Sequence, residues 1–398
     1  MQATTYKKRR ARNCGVFAPL RETALIPAMI KISVFLICVL LAASLQTPSV
    51  DRIKIGAFLP LTGATAGYGI SSLNGIKLAT DEVNRNGGID GKQVELIVED
   101  DHSNTDEVPG LVNKLIKEDK VDALIAEPIS VRAMVAAPIA QENGVVMISS
   151  ASVKPELTKQ GDYIFRACFI SSTEGEAIAK FATGKLNAKT AAIILDSKND
   201  YAVVLAGFFI ESFTKFGGRI VTQQTYAATD TDITAQINAI GAASPDVVFA
   251  PGFYTTAPLV ARTVKQSKLK SILIGSDGWD SPDLMKDGSK AFEGVYFANH
   301  FWFGATNPIV KVFVANYMTK YRVAPDAGAA TAYDAARMLF DAFRRAKSVE
   351  RSAVRHALAQ TKDFEGVTGN ITLDANRDAQ VPVYMLRIEK NGKFSFHQ

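Results

Sequence analysis

The chain contains, over residues 53–101, the pattern that most constrains its fold. An apolar strand predicted over 53–59 is followed by a glycine-rich loop over 63–69, an amphipathic helix and a second strand over 94–98. Two consecutive glycines end the helix. This order is typical of a parallel βαβ unit, whose first loop lies at the carboxyl edge of the sheet, where open α/β folds bind ligands.

A segment before this block has the three parts of a secretory signal peptide. Met29-Ile30-Lys31 gives a positively charged start, which is followed by an apolar run over 32–41 and by small residues at 42–44. The run is shorter than the roughly 20 residues that a bilayer span needs. We therefore expect residues 1–50 to be a leader, with Met29 as the true start, and the mature protein to be periplasmic. The alternative is an uncleaved anchor with a basic cytoplasmic tail.

The charge of the chain belongs to this leader. The whole chain is +5, and residues 1–50 hold seven Lys or Arg and one Glu, so the remainder carries −1. A nucleic-acid partner is therefore not expected. Outside the leader the chain has a single cysteine, Cys168, which we expect to be a small apolar residue of a strand predicted over 163–168.

Strands and helices continue to alternate after residue 101, and about 350 mature residues suggest two domains. The predicted elements form two successive doubly wound α/β units. Strands are predicted over 121–126, 145–149, 163–168, 191–196, 219–226, 246–251, 271–276, 294–300, 381–389 and 393–397. Helices are predicted over 107–118, 131–142, 174–186, 201–216, 232–243, 255–267, 308–320, 327–346 and 350–360.

Several strings, in this order and at these spacings, carry a family resemblance: IGAFLPLTG, YGISSLNGIKLATDEVNRNGGIDG, VEDD, MISSASVKPELT, GSDGW and TAYDAARML. From residue 51 to its end, the chain resembles type I periplasmic solute-binding proteins of the leucine/isoleucine/valine-binding branch, which serve ABC importers. The resemblance implies two Rossmann-like α/β lobes joined by a three-strand hinge, with the ligand between them. It places lobe 1 at 51–170 plus 301–377 and lobe 2 at 171–300 plus 378–398.

The resemblance also implies the partners of the protein. They are a small-molecule ligand, an amino acid or related carboxylate, and an ABC permease in the inner membrane. No cofactor or metal is expected, and we expect a monomer. The alternative is a receptor of the same fold that senses a ligand and signals to a partner protein.

A free amino acid needs donors for its carboxylate and an acceptor for its ammonium. Ser130 begins a predicted helix, and as an N-cap its hydroxyl would accept a hydrogen bond from a backbone N–H. The resemblance implies instead that this hydroxyl contacts the ligand. The two roles can coexist. The resemblance makes the backbone of Ala151 a further donor. Val153 stands where relatives have a threonine, so one hydroxyl is missing, and Ser152 is the candidate substitute.

Asp277 ends a predicted strand and matches the acidic residue that takes the ammonium in relatives, where Glu is common. The alternative for Asp277 is a turn-forming residue before glycine. By resemblance, three aromatic residues line the pocket: Tyr68, Tyr201 and Phe253, the last replacing a tyrosine. Trp279 and Tyr333 could cap the pocket, or they could belong to the core.

The sequence gives little support to an enzymatic function. The histidines share no ligand-like spacing, and no nucleophile elbow, zinc-protease motif or phosphate loop occurs in the sequence. Asp100 and Asp101 are expected at the solvated surface after a strand. Glu127 is expected near the cleft mouth, where it would repel an acidic ligand, hold a basic group or form a solvated rim. We therefore predict a binding protein and not an enzyme.

Overall fold

The structure is a computed structural model that describes residues 52–284, 290–390 and 392–397. The predictions for the leader, including the signal peptide and the start at Met29, lie outside the described residues. Within the described ranges, no helix is long and apolar enough to cross a bilayer.

Strands and helices alternate along most of the chain, close to the predicted bounds. The strands are β1 (Arg52–Leu59), β2 (Gln93–Asp100), β3 (Ala123–Ala126), β4 (Val146–Ser149), β5 (Ile164–Arg166), β6 (Thr190–Asp196), β7 (Arg219–Tyr226), β8 (Val247–Phe249), β9 (Ile272–Gly275), β10 (Tyr296–Asn299), β11 (Phe364–Glu365), β12 (Asn370–Leu373), β13 (Ala379–Gln380), β14 (Tyr384–Ile388) and β15 (Phe394–Phe396). The helices are α1 (Ala66–Arg85), α2 (Val108–Lys117), α3 (Ser130–Glu142), α4 (Ser171–Gly184), α5 (Asp200–Lys215), α6 (Thr234–Ala243), α7 (Ala257–Gln266), α8 (Pro308–Tyr321), α9 (Ala327–Ala346) and α10 (Arg351–Ala359).

Two sheets define two lobes. The first sheet has the order β2-β1-β3-β4-β5, and all its strands are parallel. The second has the order β15-β14-β10-β9-β8-β6-β7; its strands β6 to β10 are parallel, and β14 and β15 add antiparallel at one edge. The five parallel strands of each sheet follow the same doubly wound order, so the predicted fold class is confirmed.

Each sheet is covered by helices on both faces, as parallel sheets require. Helices α1, α8, α9 and α10 pack on one face of the first sheet, and α2 and α3 pack on the other. Helices α6 and α7 pack on one face of the second sheet, and α4 and α5 pack on the other. The apolar stripes read from the sequence are therefore the buried faces of these helices.

The chain passes between the two sheets three times, through residues 167–170, 300–307 and 381–383. These passages connect the lobes at one side and leave the carboxyl ends of both sheets free to face each other. The lobe boundaries given above stay a prediction. Strand β13 belongs to a small antiparallel sheet, β11-β12-β13, that the sequence did not predict because its strands have only two to four residues.

The glycine-rich loop is shorter than predicted, because α1 begins at Ala66 and its first turn contains Tyr68. A Cβ on Gly69 would lie 2.1 Å from the carbonyl oxygen of Pro60, so only glycine lets this turn approach the end of β1. Strand β5 is also shorter than predicted, because it ends at Arg166. Cys168 lies beyond its end and is buried against Val153.

Helix α1 approaches α9 closely at Gly75. A Cβ on Gly75 would lie 2.1 Å from the carbonyl oxygen of Ala329 and 3.0 Å from the backbone nitrogen of Tyr333. No real side-chain carbon tolerates the first distance. The missing side chain therefore sets the separation of these helices, whose first turns form part of the site described below.

We expect Gly75→Ala to lower the free energy of unfolding by about 1–3 kcal/mol, because overpacking forces α1 and α9 apart. The matched control is Gly110→Ala in α2, where a Cβ meets no atom within 4 Å; it should be neutral or stabilise by up to about 1 kcal/mol through helix propensity. Urea unfolding followed by circular dichroism measures both. Equal effects of the two substitutions would contradict this account of the helix contact.

Candidate functional site

A cavity of about 50 Å³ lies between the carboxyl ends of the two sheets. Residues that follow β3 and β4 form its wall on the first lobe, together with the first turns of α1 and α9. Residues that follow β6, β8, β9 and β10 form its wall on the second lobe. The volume is about a third of the roughly 150 Å³ cavity that holds benzene, so the cavity is small.

Most of the predicted site residues meet at this cavity. The predicted residues that line it are Tyr68, Ser130, Ala151, Val153, Tyr201, Phe253 and Asp277. Ser152 lies directly behind the lining, where its hydroxyl donates to Ser130 Oγ over 3.1 Å. The site thus joins segments that are more than 200 residues apart in the chain.

Trp279 and Tyr333 do not line the cavity, and of the two alternatives given above, a cap on the pocket or a place in the core, the structure favours the core. The indole of Trp279 is buried over Gly275, whose missing side chain leaves room for it, and packs edge-on against Phe292 at 5.8 Å. Tyr333 lies well inside α9, where its ring packs on Phe313 and its hydroxyl donates to Glu82. Both side chains belong to the cores of their lobes.

The first lobe presents the N-terminus of α3 to the cavity. The N-cap residue is Ile129, whose own side chain makes no capping hydrogen bond, so Ser130 does not act as the N-cap considered above. The hydroxyl of Ser130 accepts from Ser152 instead. An uncapped helix N-terminus beside two hydroxyls is a favourable place for a carboxylate, because backbone N–H groups and the helix dipole both attract an anion.

Glu127 lies behind this helix start and not on a solvated rim. Its side chain is fully buried, pairs with Arg132 and accepts from the backbone N–H of Ile129. Burial raises the pKa of Glu127 to about 8, although the charge of Arg132 opposes the shift. Asp101 is also buried, 3.7 Å from Arg132, and so the expectation of solvated surface was wrong for it. The guanidinium anchors the loop that leads into α3.

The second lobe presents a carboxylate, Asp277. The hydroxyl of Tyr201 donates to Asp277 Oδ1, and Nε2 of His300 lies 2.8 Å from Oδ2. Burial alone would raise the pKa of Asp277, but the hydrogen bond and charge of His300 hold it below its usual value. Burial also raises the pKa of Tyr201 well above its usual value, which keeps its hydroxyl a donor. An ionised Asp277 can therefore accept from a ligand ammonium.

Sequence reasoning missed two residues beside Asp277. Glu174, in the first turn of α4, is fully buried, and its Oε1 accepts from the backbone N–H of Asp277 over 2.9 Å. Burial and then the charge of Asp277 raise the pKa of Glu174 well above its usual value. His300 directly follows β10, so its place at a strand end was a usable signal. For Glu174 the sequence carries no such signal, since an acidic residue in a first helical turn is ordinary.

Aromatic rings form the apolar part of the cavity wall. Tyr201 and Phe253 stack with centroids 5.2 Å apart, and Tyr68 meets Phe253 edge-on at 5.9 Å. Tyr68 comes from the first lobe, yet its hydroxyl donates to the backbone carbonyl of Gly278 in the second. The phenol of Tyr254 in turn accepts from the backbone N–H of Gly67 over 3.3 Å. These contacts join the lobes around the cavity.

Asp280 makes a charged contact across the same seam. Its Oδ2 accepts from the side chain of Asn299 and from the backbone N–H of Ala327, each over 2.8 Å. Asn299 ends β10 of the second sheet, whereas Ala327 begins α9, which packs on the first. The carboxylate therefore binds the N-terminus of α9 when the two lobes are together.

The comparisons with known proteins agree with this geometry. A sequence model of the periplasmic binding protein family matches residues 52–393. BraC3, a Leu/Ile/Val-binding protein of Rhizobium johnstonii, is 28% identical over 343 residues, which are 86% of this chain and 92% of that protein.

Two solved structures are similar over most of their length. A leucine-binding protein of Thermotoga maritima has 34% sequence identity and a TM-score of 0.82, covering 87% of this chain and 98% of its own. The branched-chain amino acid substrate-binding protein LivJ of Streptococcus pneumoniae, solved in complex with isoleucine, has 32% identity and a TM-score of 0.82 over the same shares of the two chains.

Two doubly wound lobes with a cavity at their seam define a type I periplasmic solute-binding protein, and the chain belongs to the periplasmic binding protein family. Within that family it belongs to the leucine/isoleucine/valine-binding branch.

We expect Asp280→Ala to shift the protein toward a more open arrangement, because two hydrogen bonds to a charged group are lost and each contributes about 1.5–3 kcal/mol. Small-angle X-ray scattering should show a larger radius of gyration for the unliganded variant. Asp232→Ala, which removes an exposed carboxylate bonded to the nearby backbone and side chain of Thr234, is the control and should scatter like the wild type. A wild-type radius for Asp280→Ala would contradict the role of this contact.

Proposed function

We propose that this protein is exported to the periplasm, captures a small amino acid or related carboxylate between its two lobes, and delivers it to an ABC permease of the inner membrane. The observation that carries the proposal is the polarity of the cavity. An uncapped helix N-terminus and Ser130 lie on one side, and an ionisable Asp277 lies on the other.

These groups complement the two ends of a zwitterion. The backbone N–H groups at the start of α3, the hydroxyl of Ser130 and the backbone at Ala151 would hold the carboxylate. Asp277, oriented by Tyr201, would accept from the ammonium. A ligand gains both sets of contacts only when the lobes are together, so its binding shifts the open–closed equilibrium toward the closed form. The rings around the cavity would exclude water from these contacts.

The replacements in this chain bear on which ligand is taken. Val153 lines the cavity and supplies no hydroxyl, and Phe253 supplies none either. Relatives that bind leucine, isoleucine or valine support an aliphatic amino acid as the first candidate. The small volume of the cavity favours the shorter side chains among them.

A thermal-shift screen of the purified protein tests the proposal. The panel contains the L-amino acids, their deaminated carboxylates and a set of aromatic acids. A ligand at 100 times its Kd stabilises the folded protein by about 2.7 kcal/mol, which raises the melting temperature by several degrees. A panel in which no amino acid or carboxylate raises the melting temperature would refute the proposed ligand class.

We expect Asp277→Ala to weaken binding of an amine-bearing ligand by about tenfold or more, because a hydrogen bond to a charged group is worth about 1.5–3 kcal/mol. Isothermal titration calorimetry measures the change with the amino acid that the screen selects. Asp277→Asn separates charge from shape, and we expect it to lose most of the same affinity. Unchanged affinity in both variants would remove the ammonium contact from Asp277.

We expect Val153→Thr to strengthen binding of leucine-like ligands several-fold, because it adds a hydroxyl on the carboxylate side of the cavity with almost no change of shape. The control is Val203→Thr, the same substitution at an exposed position on α5. Calorimetric titration of both variants with L-leucine and L-valine gives the comparison. If the two variants bind equally, the missing hydroxyl has no part in specificity.

A further inference from the structure

Arg166 is the last residue of β5, and its guanidinium is completely buried beside residues 151–154, here called the wall loop. Its Nη1 donates to the carbonyl oxygen of Ser152 over 2.9 Å, and its Nη2 donates to the carbonyl oxygen of Lys154 over 2.7 Å. Its Nε lies 2.7 Å from Oδ1 of Asp378, which supplies the opposite charge. A buried guanidinium is costly unless it is paired and hydrogen-bonded, so these contacts offset the cost of its burial.

The carbonyl between these two is held by the same part of the chain. The carbonyl oxygen of Val153 accepts from the backbone N–H of Ser171 over 2.8 Å and from its hydroxyl over 3.2 Å. Ser171 begins α4, directly after the first passage between the lobes at residues 167–170. Three consecutive carbonyls of the wall loop therefore accept from donors within residues 166–171. The loop backbone cannot rotate without breaking hydrogen bonds to this segment.

The wall loop also presents backbone donors at the cavity. Ala151 and Val153 line the cavity, and their N–H groups donate to no acceptor among the residues that the structure describes. The N–H of Ser152 between them donates to Oγ of Ser149 over 3.0 Å. Val153 is buried, and buried backbone donors are almost always paired in folded proteins. The N–H of Val153 is therefore available for an acceptor on a ligand.

One peptide group connects these observations. The carbonyl of Ser152 and the N–H of Val153 belong to the same planar trans peptide, in which they point in opposite directions. Arg166 holds that carbonyl, so the N–H of Val153 points away from the guanidinium. Rotation of this peptide would turn both groups together. The contact with Arg166 therefore fixes the direction of the donor at the cavity.

Asp378 connects this arrangement to the passages between the lobes. Its Oδ1 also accepts from the hydroxyl of Thr158 over 2.9 Å, and it lies shortly before the third passage at residues 381–383. An apolar cluster joins Val153 to residues of the first and third passages: Cys168, Phe169, Val381 and Val383. Arg166 thus anchors the wall loop to the side of the molecule that connects the two lobes.

We propose that Arg166 is a positioning residue for ligand capture, which holds the peptide group between Ser152 and Val153 with its N–H toward the ligand carboxylate. The inference rests on the proposed function and deepens it, because it names the residue that orients a carboxylate donor. Arg166 acts through this peptide group and touches no part of the ligand itself. A neutral amide in place of the carboxylate gains less from an aligned N–H, since hydrogen bonds to charged groups are the stronger ones. The preference for a carboxylate over an amide therefore depends on Arg166.

The variant Arg166→Lys tests this dependence. Lysine keeps a positive charge for Asp378, but its ammonium lacks the planar fork that reaches two carbonyls. The matched control is Arg377→Lys, because Arg377 donates to the carbonyls of Ile164 and Thr158, outside the wall loop. Calorimetric titrations, with displacement for the weaker ligands, compare L-leucine with L-leucinamide and L-alanine with L-alaninamide.

We expect Arg166→Lys to weaken binding of the amino acids by about tenfold or more, and binding of the amides by less than about twofold. Arg377→Lys should keep the wild-type ratio of the two affinities. A residue that only supported the fold would weaken binding of acid and amide alike, so an unchanged ratio in Arg166→Lys would overturn the proposal. Should Arg166→Lys fail to fold, Arg166→Met combined with Asp378→Asn removes both charges together, and the same loss of preference is expected.

A second measurement needs no ligand. In protein with isotopically labelled valine, the amide signal of Val153 should move in Arg166→Lys, because that variant changes the hydrogen bond to the carbonyl of the same peptide. The Val153→Thr variant assigns the signal, and Arg377→Lys should leave it in place. An unmoved signal in Arg166→Lys would refute the role of Arg166. If none of the amino acids binds, the proposed function fails, while this signal still tests Arg166 independently.

Discussion

Charge buried at the seam between the two lobes is the constraint on which the site depends. The carboxyl ends of two parallel sheets face each other there, so polar residues that follow the strands are removed from water when the lobes meet. An isolated buried charge is costly, and two ionisable pairs at this seam reduce that cost. Arg132 pairs with Glu127 on the first lobe, and His300 contacts Asp277 on the second.

One of these pairs supports the cavity wall, and the other is placed to bind a ligand. The Glu127–Arg132 pair lies behind the start of α3 and fixes the loop that aims its N-terminus at the cavity. Asp277 and His300, in contrast, line the cavity and remain available to a ligand. Asp280 also lines the cavity, but its carboxylate holds the start of α9 across the seam. Closure and ligand recognition thus use neighbouring carboxylates that lie only three residues apart in the chain.

Helix packing decides where the cavity wall lies on the first lobe. The contact between α1 and α9 at Gly75 brings the first turns of both helices to the seam. Tyr68 then extends from α1 to the backbone of the second lobe, and Ala327 at the start of α9 meets Asp280. A small residue in the middle of one helix therefore affects a surface more than one helical turn away.

Local sequence patterns predicted the elements, and together with the family resemblance they predicted most of the cavity wall. Alternating strand and helix patterns predicted the doubly wound order, because the apolar period of each element reflects the face that it buries. Ser130 and Asp277 could be chosen because strand ends of a parallel sheet share one edge and because they match family positions, whereas Phe253 was assigned by the family resemblance alone. The short strands of the third sheet were not predicted, because two to four residues are too few to show an alternating apolar pattern.

Which polar residues are buried together could not be predicted from local sequence patterns. Asp101 was expected at the solvated surface and Glu127 near the cleft mouth, yet both lie buried against Arg132. Glu174 meets Asp277 from 103 residues away, and Trp279 turns from the cavity into the core. The physical reason is that burial and partner choice depend on distances between segments remote in sequence. The local apolar pattern predicts which face of a strand or helix is buried, but it does not predict which residues pack against that face.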